Sequence, residues 1–221
     1  MKRPLLIINF KNYEEVSGDK AVKLAKAAHQ VAEKLKVEIV VAPPQPTVAL
    51  IAKNVRMPVI CQHVDNEKVG PSTGFFVPEI ARSCGAVGSL INHSEHRIET
   101  RSIAILVERM RKLGMTSIVC AREPHEVAEI SAFKPDFIAI EPPELIGSGK
   151  AVSRENPAII TKSIQGAASR SSIICGAGIT DKSDVAKTME LGSHGILVAS
   201  GIVKATSWDK KIAELAFGMK R

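Results

Sequence analysis

The stretch Phe137-Ile-Ala-Ile-Glu-Pro-Pro-Glu-Leu-Ile-Gly-Ser-Gly-Lys150 decides how the rest of this chain is interpreted. It begins with an apolar run typical of a buried strand, and the carboxylate of Glu141 stands where that run ends. Two prolines stiffen the exit of the loop that follows, and Gly147 and Gly149 free its far end. We expect a lid that moves as a unit and presents backbone N–H groups to an anion. An ordinary surface loop with a solvated glutamate is the alternative that this stretch alone leaves open.

The composition predicts one α/β domain over residues 1–221. No linker and no block of charge divides the 221 residues, a length common for single barrels. Hydrophobic residues make up 45% of the chain and aromatic residues 4%, so the core must be aliphatic, which suits parallel strands covered by helices. The net charge of +7 fits an anionic small molecule. Without a basic stripe or stacking aromatics, it does not indicate a nucleic-acid partner.

The four cysteines, Cys61, Cys84, Cys120 and Cys175, form no C-x-x-C pair that would indicate zinc or a redox site. Three of them lie in or beside apolar runs and are expected to be buried thiols. The first apolar run is too short for a signal sequence, and no later run approaches the length of a membrane span. We therefore expect a reduced, cytoplasmic protein without a membrane partner.

Eight short apolar runs recur, each ending in a polar or glycine-rich loop: residues 5–9, 37–42, 59–62, 87–92, 117–121, 137–141, 172–176 and 195–199. Several intervals between them carry helical periodicity. Asn156 and Pro157 predict one helix start, and Thr180 is expected to cap the next helix. Alternating strands and helices favour a single (β/α)8 barrel, with a short helix between residues 121 and 137. An open doubly wound sheet is the alternative, but it would be expected to carry G-x-G-x-x-G after an early strand.

In such a barrel the carboxyl ends of the strands face one pocket. These positions supply Asn9 and Lys11 after the first run, His93 and Glu95 after the fourth, and Glu141 after the sixth. Each residue alone has an ordinary structural explanation, as a surface lysine, a capping histidine or a first-turn acid. Together they predict a lysine, a histidine and two carboxylates in a shared site.

Two late loops predict an anion site. Residues 175–178 follow the seventh run, and Ala199-Ser200-Gly201 follows the eighth. Their small side chains allow backbone amides to approach a phosphate, and residues 200–204 predict a one-turn helix for that purpose.

Three motifs together resemble those of the triosephosphate isomerase family, in the short form found in archaea. They are Asn9-Phe10-Lys11, Ile91-Asn92-His93-Ser94-Glu95-His96-Arg97, and Ile140-Glu141-Pro142 through Gly147-Ser148-Gly149-Lys150. Residues 70–74 are similar to the family's third loop. The resemblance implies a TIM barrel that interconverts dihydroxyacetone phosphate and D-glyceraldehyde 3-phosphate through an enediol, in glycolysis and gluconeogenesis. It implies no metal and no organic cofactor.

The resemblance also implies a role for each site residue. Glu141 would be the base that removes the proton alpha to the carbonyl, and His93 the neutral electrophile that polarises it. Lys11, held by Glu95, would neutralise the developing charge and the phosphate. The further substrate-binding positions are Asn9, Ile146, Gly147, Gly178, Ala199 and Ser200. Thr73 would reach the site of a neighbouring subunit in a homodimer or homotetramer.

Some positions depart from the family pattern. His96 stands where most members have arginine, so one ion pair that anchors a loop is in question. A serine is missing after the seventh run, and Ala199-Ser200 replaces a double glycine, so phosphate binding is expected to rest on backbone N–H groups. The lid carries Glu144-Leu145 where an aromatic residue is common. Two other functions stay open: a Schiff-base aldolase that uses Lys11, and a non-catalytic phosphate-sensing or RNA-binding barrel.

Overall fold

A computed structural model describes residues 4–220 and contains one sheet of seven parallel strands in the order β2-β1-β7-β6-β5-β4-β3. The strands are β1 Leu5–Asn9, β2 Glu38–Ala42, β3 Gly88–Ile91, β4 Thr116–Ala121, β5 Phe137–Ile140, β6 Ser172–Cys175 and β7 Gly195–Val198. Every interval between consecutive strands contains at least one helix, as parallel pairing requires. The first strand also pairs with the last, which bends the sheet into a ring.

Residues 59–61 close the ring between β2 and β3. Val59 bridges to Val41 and Cys61 bridges to Ser89, both in parallel. The predicted barrel is therefore confirmed and the open sheet is wrong. The third apolar run forms only these bridges instead of a full strand. Pro58, just before it, has no N–H to donate to a ladder, and this limits how far pairing can extend.

The helices cover the outside of the ring. They are α1 Asp19–Leu35, α2 Val48–Asn54, α3 Pro78–Ser83, α4 Thr100–Lys112, α5 Pro124–Ser131, α6 Val152–Glu155, α7 Pro157–Ala167, α8 Lys182–Glu190, α9 Ser200–Val203 and α10 Trp208–Gly218. As expected, α5 is short and α7 starts at Pro157. The prediction that Thr180 caps α8 is wrong. Asp181 is the cap, because its carboxylate accepts from the N–H groups of Ser183 and Asp184 while the Thr180 hydroxyl donates to Asp184.

Strand residues alternate between two apolar layers. Leu5 and Ile7 point into the barrel interior, whereas Leu6 and Ile8 pack under the helices. This two-residue period places one layer inside the ring and a larger layer outside it. Inward-facing aliphatic side chains fill the ring, so the strands form a rigid support whose open ends can carry chemistry.

All four cysteines are free thiols, and Cys61, Cys120 and Cys175 are buried, as predicted for three of them. Burial raises the pKa of Cys61 and of Cys175 to about 12. Among residues 4–220, no helix combines the length and the apolar character that crossing a membrane requires.

Candidate active site

A cavity of about 170 Å³ opens at the carboxyl ends of the strands. All the predicted catalytic and substrate-binding positions except Glu95 line it: Asn9, Lys11, His93, Glu141, Ile146, Gly147, Gly178, Ala199 and Ser200. Glu95 lines a wider cavity of about 640 Å³ that shares Asn9, Lys11 and His93 with the first. Residues distant in sequence therefore meet at one end of the barrel.

The turn after β1 fixes the backbone of Lys11. This residue adopts a left-handed conformation with φ 48°, which is uncommon for a residue with a side chain. Its N–H donates to Asn9 Oδ1 at 3.0 Å, and its carbonyl accepts from Gln62 Nε2 at 3.0 Å. These two bonds hold a strained conformation, and strain of this kind clusters at functional sites.

The ammonium group of Lys11 donates to Glu95 Oε1 at 2.7 Å. The lysine side chain is 15% exposed and the glutamate side chain 60% exposed. A pair open to solvent on one side adds little to stability. The pair instead orients the lysine side chain, because the Glu95 carboxylate holds the ammonium group of Lys11 at the edge of the cavity.

A turn built by Asn92 presents His93 after β3. Asn92 has φ 62°, donates from Nδ2 to the Cys120 carbonyl at 3.1 Å, and accepts from the Ile98 N–H at 3.1 Å. The Glu95 N–H donates to His93 Nδ1 at 3.2 Å. Since Nδ1 accepts, this hydrogen bond selects the neutral tautomer with its proton on Nε2. Nε2 lies 3.7 Å from Glu141 Oε1.

Glu141 follows β5 and is 4% exposed. Its Oε2 oxygen has no hydrogen-bond partner within residues 4–220. Burial raises the pKa of this carboxyl group, and the neighbouring His93, Cys120 and Lys11 oppose the rise. A desolvated carboxylate with an unpaired oxygen is poorly stabilised as an anion, which makes it a stronger base.

The chain leaves space for this carboxylate at Gly176. A Cβ atom at that position would lie 2.5 Å from Glu141 Cγ. Gly176 after β6 therefore has a steric reason, since a side chain there would collide with Glu141.

A second wall of the cavity is formed largely by glycine backbone and a short helix. Gly147 and Gly178 have φ values of 72° and 70°. The predicted one-turn helix is present as α9, with Ala199 at its N-cap position and Ser200 as its first residue. The first N–H groups of a helix have no carbonyl partner within it, and they favour anions.

Comparison of the sequence with known proteins points to one family. Residues 4–215 match the family model described as triosephosphate isomerase. A triosephosphate isomerase from Cenarchaeum symbiosum is 48% identical over 221 residues, covering 99% of both chains. The counterparts from Caldivirga maquilingensis and Saccharolobus solfataricus are 45% and 42% identical, covering 98% and 97% of this chain and 97% and 95% of their own.

The chain belongs to the triosephosphate isomerase family. The resemblance inferred from the three motifs is confirmed. The coverage extends over nearly the whole length of these relatives, so it includes every strand end that contributes to the cavity.

At position 96 this chain has a histidine where most family members have arginine, and its ring packs against another histidine. The His96 ring stacks on His63 with centroids 3.8 Å apart, and among the described residues it makes no ion pair. The adjacent Arg97 pairs with Glu126 instead, and its Nη1 donates to the Asn92 carbonyl at 3.2 Å. The turn that carries His93 is therefore still anchored by a guanidinium group.

Sequence reasoning missed several residues that shape this candidate site. They are Tyr13, Gln62 and Cys120, and the sequence analysis also did not predict the turn at Asn92 or the space that Gly176 leaves beside Glu141. Asn92 could have been found, because asparagine tolerates positive φ and stands directly before the histidine. Gln62 and Cys120 act across neighbouring strands, which motif spacing does not disclose.

Proposed function

We propose that this chain catalyses the interconversion of dihydroxyacetone phosphate and D-glyceraldehyde 3-phosphate. The single observation that carries the proposal is the approach of the buried Glu141 carboxylate to His93 Nε2, 3.7 Å apart beside Lys11. An aldose-ketose isomerisation through an enediol needs a base, a neutral hydrogen-bond donor and a cation, and all three line this cavity. Family membership over nearly the full length supports the same reaction.

Glu141 acts as the base in this proposal. It removes the proton alpha to the substrate carbonyl and returns it to the neighbouring carbon. Its burial raises its pKa, so the carboxylate has a greater affinity for a proton than an ordinary glutamate. No hydrogen-bond partner within residues 4–220 occupies Oε2, so no such bond has to break when this oxygen takes up a proton.

His93 and Lys11 stabilise the charge that develops on oxygen. The Nε2–H group of His93 polarises the carbonyl and donates to the enediolate. Lys11 supplies a positive charge, which Glu95 and the bonded turn keep in place. Groups that are fixed before the reaction need no reorganisation in the transition state.

The backbone wall binds the phosphate. The N–H groups around Gly147, Gly178 and Ser200 provide donors, and Ile146 and Ala199 complete the apolar lining. Closure of residues 142–150 excludes water and limits the loss of phosphate from the enediol. These residues take part in binding, while proton transfer and charge stabilisation depend on Lys11, His93 and Glu141.

An assay that couples product formation to oxidation of D-glyceraldehyde 3-phosphate tests the proposal directly. We expect turnover of dihydroxyacetone phosphate at a rate typical of enzymes, with no metal or cofactor added beyond the oxidising cofactor of the coupling enzyme. Absence of turnover by the folded protein would contradict the proposal. Borohydride treatment in the presence of a keto substrate tests the Schiff-base aldolase, which the Glu95 partner of Lys11 does not favour.

The same proposal includes self-association as a homodimer or homotetramer. Residues 70–74 and the adjacent Phe75 and Phe76 lie at the surface, with the two phenylalanines 53% and 37% exposed. They border the wider cavity, where Gln45 Oε1 and His63 Nδ1 are buried without a partner in the described chain. A polar loop from a second copy would fill this cavity, with Thr73 near Lys11. Four free cysteines support a cytoplasmic location for the assembly.

Substitution of Thr73 tests the assembly. We expect Thr73→Arg to shift the protein toward monomer in sedimentation and to lower kcat, because it would bury an unpaired charge. Gln165→Arg adds the same side chain on an exposed part of α7 and is the control. A fully active wild-type monomer at micromolar concentration would contradict the proposal.

A further inference from the structure

The carboxyl-terminal end of the lid rests directly on the loop after β6. The Val152 N–H points to the Ala177 carbonyl at 3.5 Å. A Cβ atom on Gly178 would lie 1.8 Å from the Lys150 carbonyl oxygen, so the two backbones meet where the glycine has no side chain. The two segments contribute Gly147, Gly149 and Gly178 to the same cavity.

Arg154 lies just beyond this contact, on α6, and reaches the start of α8. Its Nε lies 2.5 Å from Asp184 Oδ1. Its Nη2 donates to Asp181 Oδ2 at 3.1 Å and to Ser183 Oγ at 2.6 Å. One guanidinium group therefore contacts two carboxylates and a hydroxyl through two of its nitrogens, a spread of donors that the single nitrogen of an ammonium group does not have.

Asp184 connects this guanidinium to the loop. Its Oδ2 accepts from the Thr180 N–H at 2.9 Å and from the Thr180 hydroxyl at 2.8 Å. Thr180 itself lines the cavity. The Asp184 side chain is 2% exposed, and no hydrogen bond reaches its Oδ1 from elsewhere in residues 4–220. Arg154 is thus the cation that faces a buried carboxylate oxygen, and loss of such a partner is costly.

We propose that Arg154 and Asp184 are positioning residues that hold the end of the lid and the loop 176–180 as one unit. Neither side chain lines the cavity. Their effect on the reaction is therefore indirect, through the distance between the N–H donors around Gly147 and Gly178. The inference rests on the proposed function and adds a residue pair on which phosphate affinity depends. If the inference is correct, loss of the pair weakens the binding of ligands that carry a phosphate and leaves reactions of ligands without phosphate nearly unchanged.

The test compares Arg154→Met with Lys187→Met. Arg154 is 53% exposed, so its substitution leaves the core intact. Lys187 makes an exposed pair with Glu190 at 3.3 Å on α8, so its variant removes a charge and an ion pair from the same helix. Calorimetry measures the Kd for 2-phosphoglycolate, and nuclear magnetic resonance measures isomerisation of D-glyceraldehyde, which has no phosphate.

We expect Arg154→Met to raise the Kd for 2-phosphoglycolate about tenfold, equivalent to about 1.4 kcal/mol. The value of kcat/KM for the triose phosphate falls by a similar factor, while the D-glyceraldehyde rate stays within about twofold of wild type. Arg154→Lys, which keeps the charge but reaches one carboxylate, is expected to fall between the two. Lys187→Met matches the wild type in both assays.

Two outcomes would overturn the inference. One is an unchanged Kd for 2-phosphoglycolate in Arg154→Met, and the other is an equal loss of rate on both substrates. Amide hydrogen exchange of the free protein provides a readout that needs no isomerase activity. Residues 147–151 and 178–180 should exchange faster together in Arg154→Met and not in Lys187→Met. Inactive wild-type protein would defeat the proposed function, while exchange would still decide whether the pair joins the two segments.

Discussion

The two walls of the cavity are built in different ways. On the charged wall, Lys11, His93 and Glu141 stand at strand ends, and each has an environment set by identifiable side chains. On the phosphate wall, Gly147 and Gly178 contribute backbone, and α9 contributes its first turn. The first wall depends on chemical identity, whereas the second depends on conformation. Substitutions should therefore change the rate of the chemical step on one side and the binding of phosphate on the other.

Glu141→Gln should have the largest effect on the charged wall. The amide keeps the shape of the side chain but cannot accept the proton, so we expect kcat to fall by about 10²–10⁴. Binding of 2-phosphoglycolate should change much less than kcat. Glu144→Gln, an exposed lid residue three positions on, is the matched control in the same coupled assay. A near-normal rate for Glu141→Gln would remove this residue from the mechanism.

Lys11→Met should impair both walls, because the ammonium group serves the enediolate and the phosphate. We expect a loss of about 10²–10³ in kcat, the scale seen when one charge-stabilising donor is removed. Affinity for 2-phosphoglycolate should fall as well, as measured by calorimetry. Lys204→Met, which removes a lysine over the Tyr13 ring near α9, tests whether any cation nearby suffices. Unchanged binding in Lys11→Met would argue against the assigned role.

Gly178→Ala should affect the phosphate wall alone. The new Cβ would meet the Lys150 carbonyl at 1.8 Å and force the lid end away. A displacement of this size can cost about 10²-fold, and we expect it mainly in KM. Gly114→Ala carries a similar positive φ, 66° against 70°, but has open space around it. If both variants show the same kinetics, the steric explanation fails.

The smallest effect concerns stability. Burial raises the folded pKa of Glu141 above its ordinary 4.5, so between these values the folded state holds more protons than the unfolded state. Stability due to this group then falls as pH rises, by about 1.4 kcal/mol for each pH unit between the unfolded and the folded pKa. Glu141→Gln should therefore be more stable than wild type at pH 7 and lose that advantage below pH 4.5. Urea unfolding at pH 7 and below pH 4.5 measures the two stability differences, with Glu33→Gln as an exposed control.

The same contrast explains how much the sequence alone could predict. The ring of strands and the charged wall follow from apolar runs and from the residue type at each strand end. Lys11, His93 and Glu141 could therefore be assigned to one cavity from the sequence, and they line it in the structure. The one-turn helix at Ser200 was also predicted, since small residues after the last strand indicate it.

Some local details differ from the prediction, and other features depend on contacts between distant segments. The third apolar run forms only bridges, with Pro58 directly before it. The α8 cap is Asp181 instead of Thr180, because the Asp181 carboxylate accepts from the Ser183 and Asp184 N–H groups while Asp184 accepts from Thr180. The approach of Lys150 to Gly178 and the reach of Arg154 to Asp184 join segments that are far apart in the sequence. Local patterns do not encode such contacts, so only the structure discloses them.

Isomerisation of dihydroxyacetone phosphate in D₂O tests the central claim most directly. If Glu141 removes and returns a proton through an enediol, the proton it holds exchanges with solvent before it is returned. Nuclear magnetic resonance should then find deuterium at C2 of the D-glyceraldehyde 3-phosphate formed by the wild type, and almost no product with Glu141→Gln. Product that retains only protium at C2, formed at a near-normal rate by Glu141→Gln as well, would show direct hydrogen transfer between the two carbons and would contradict the account.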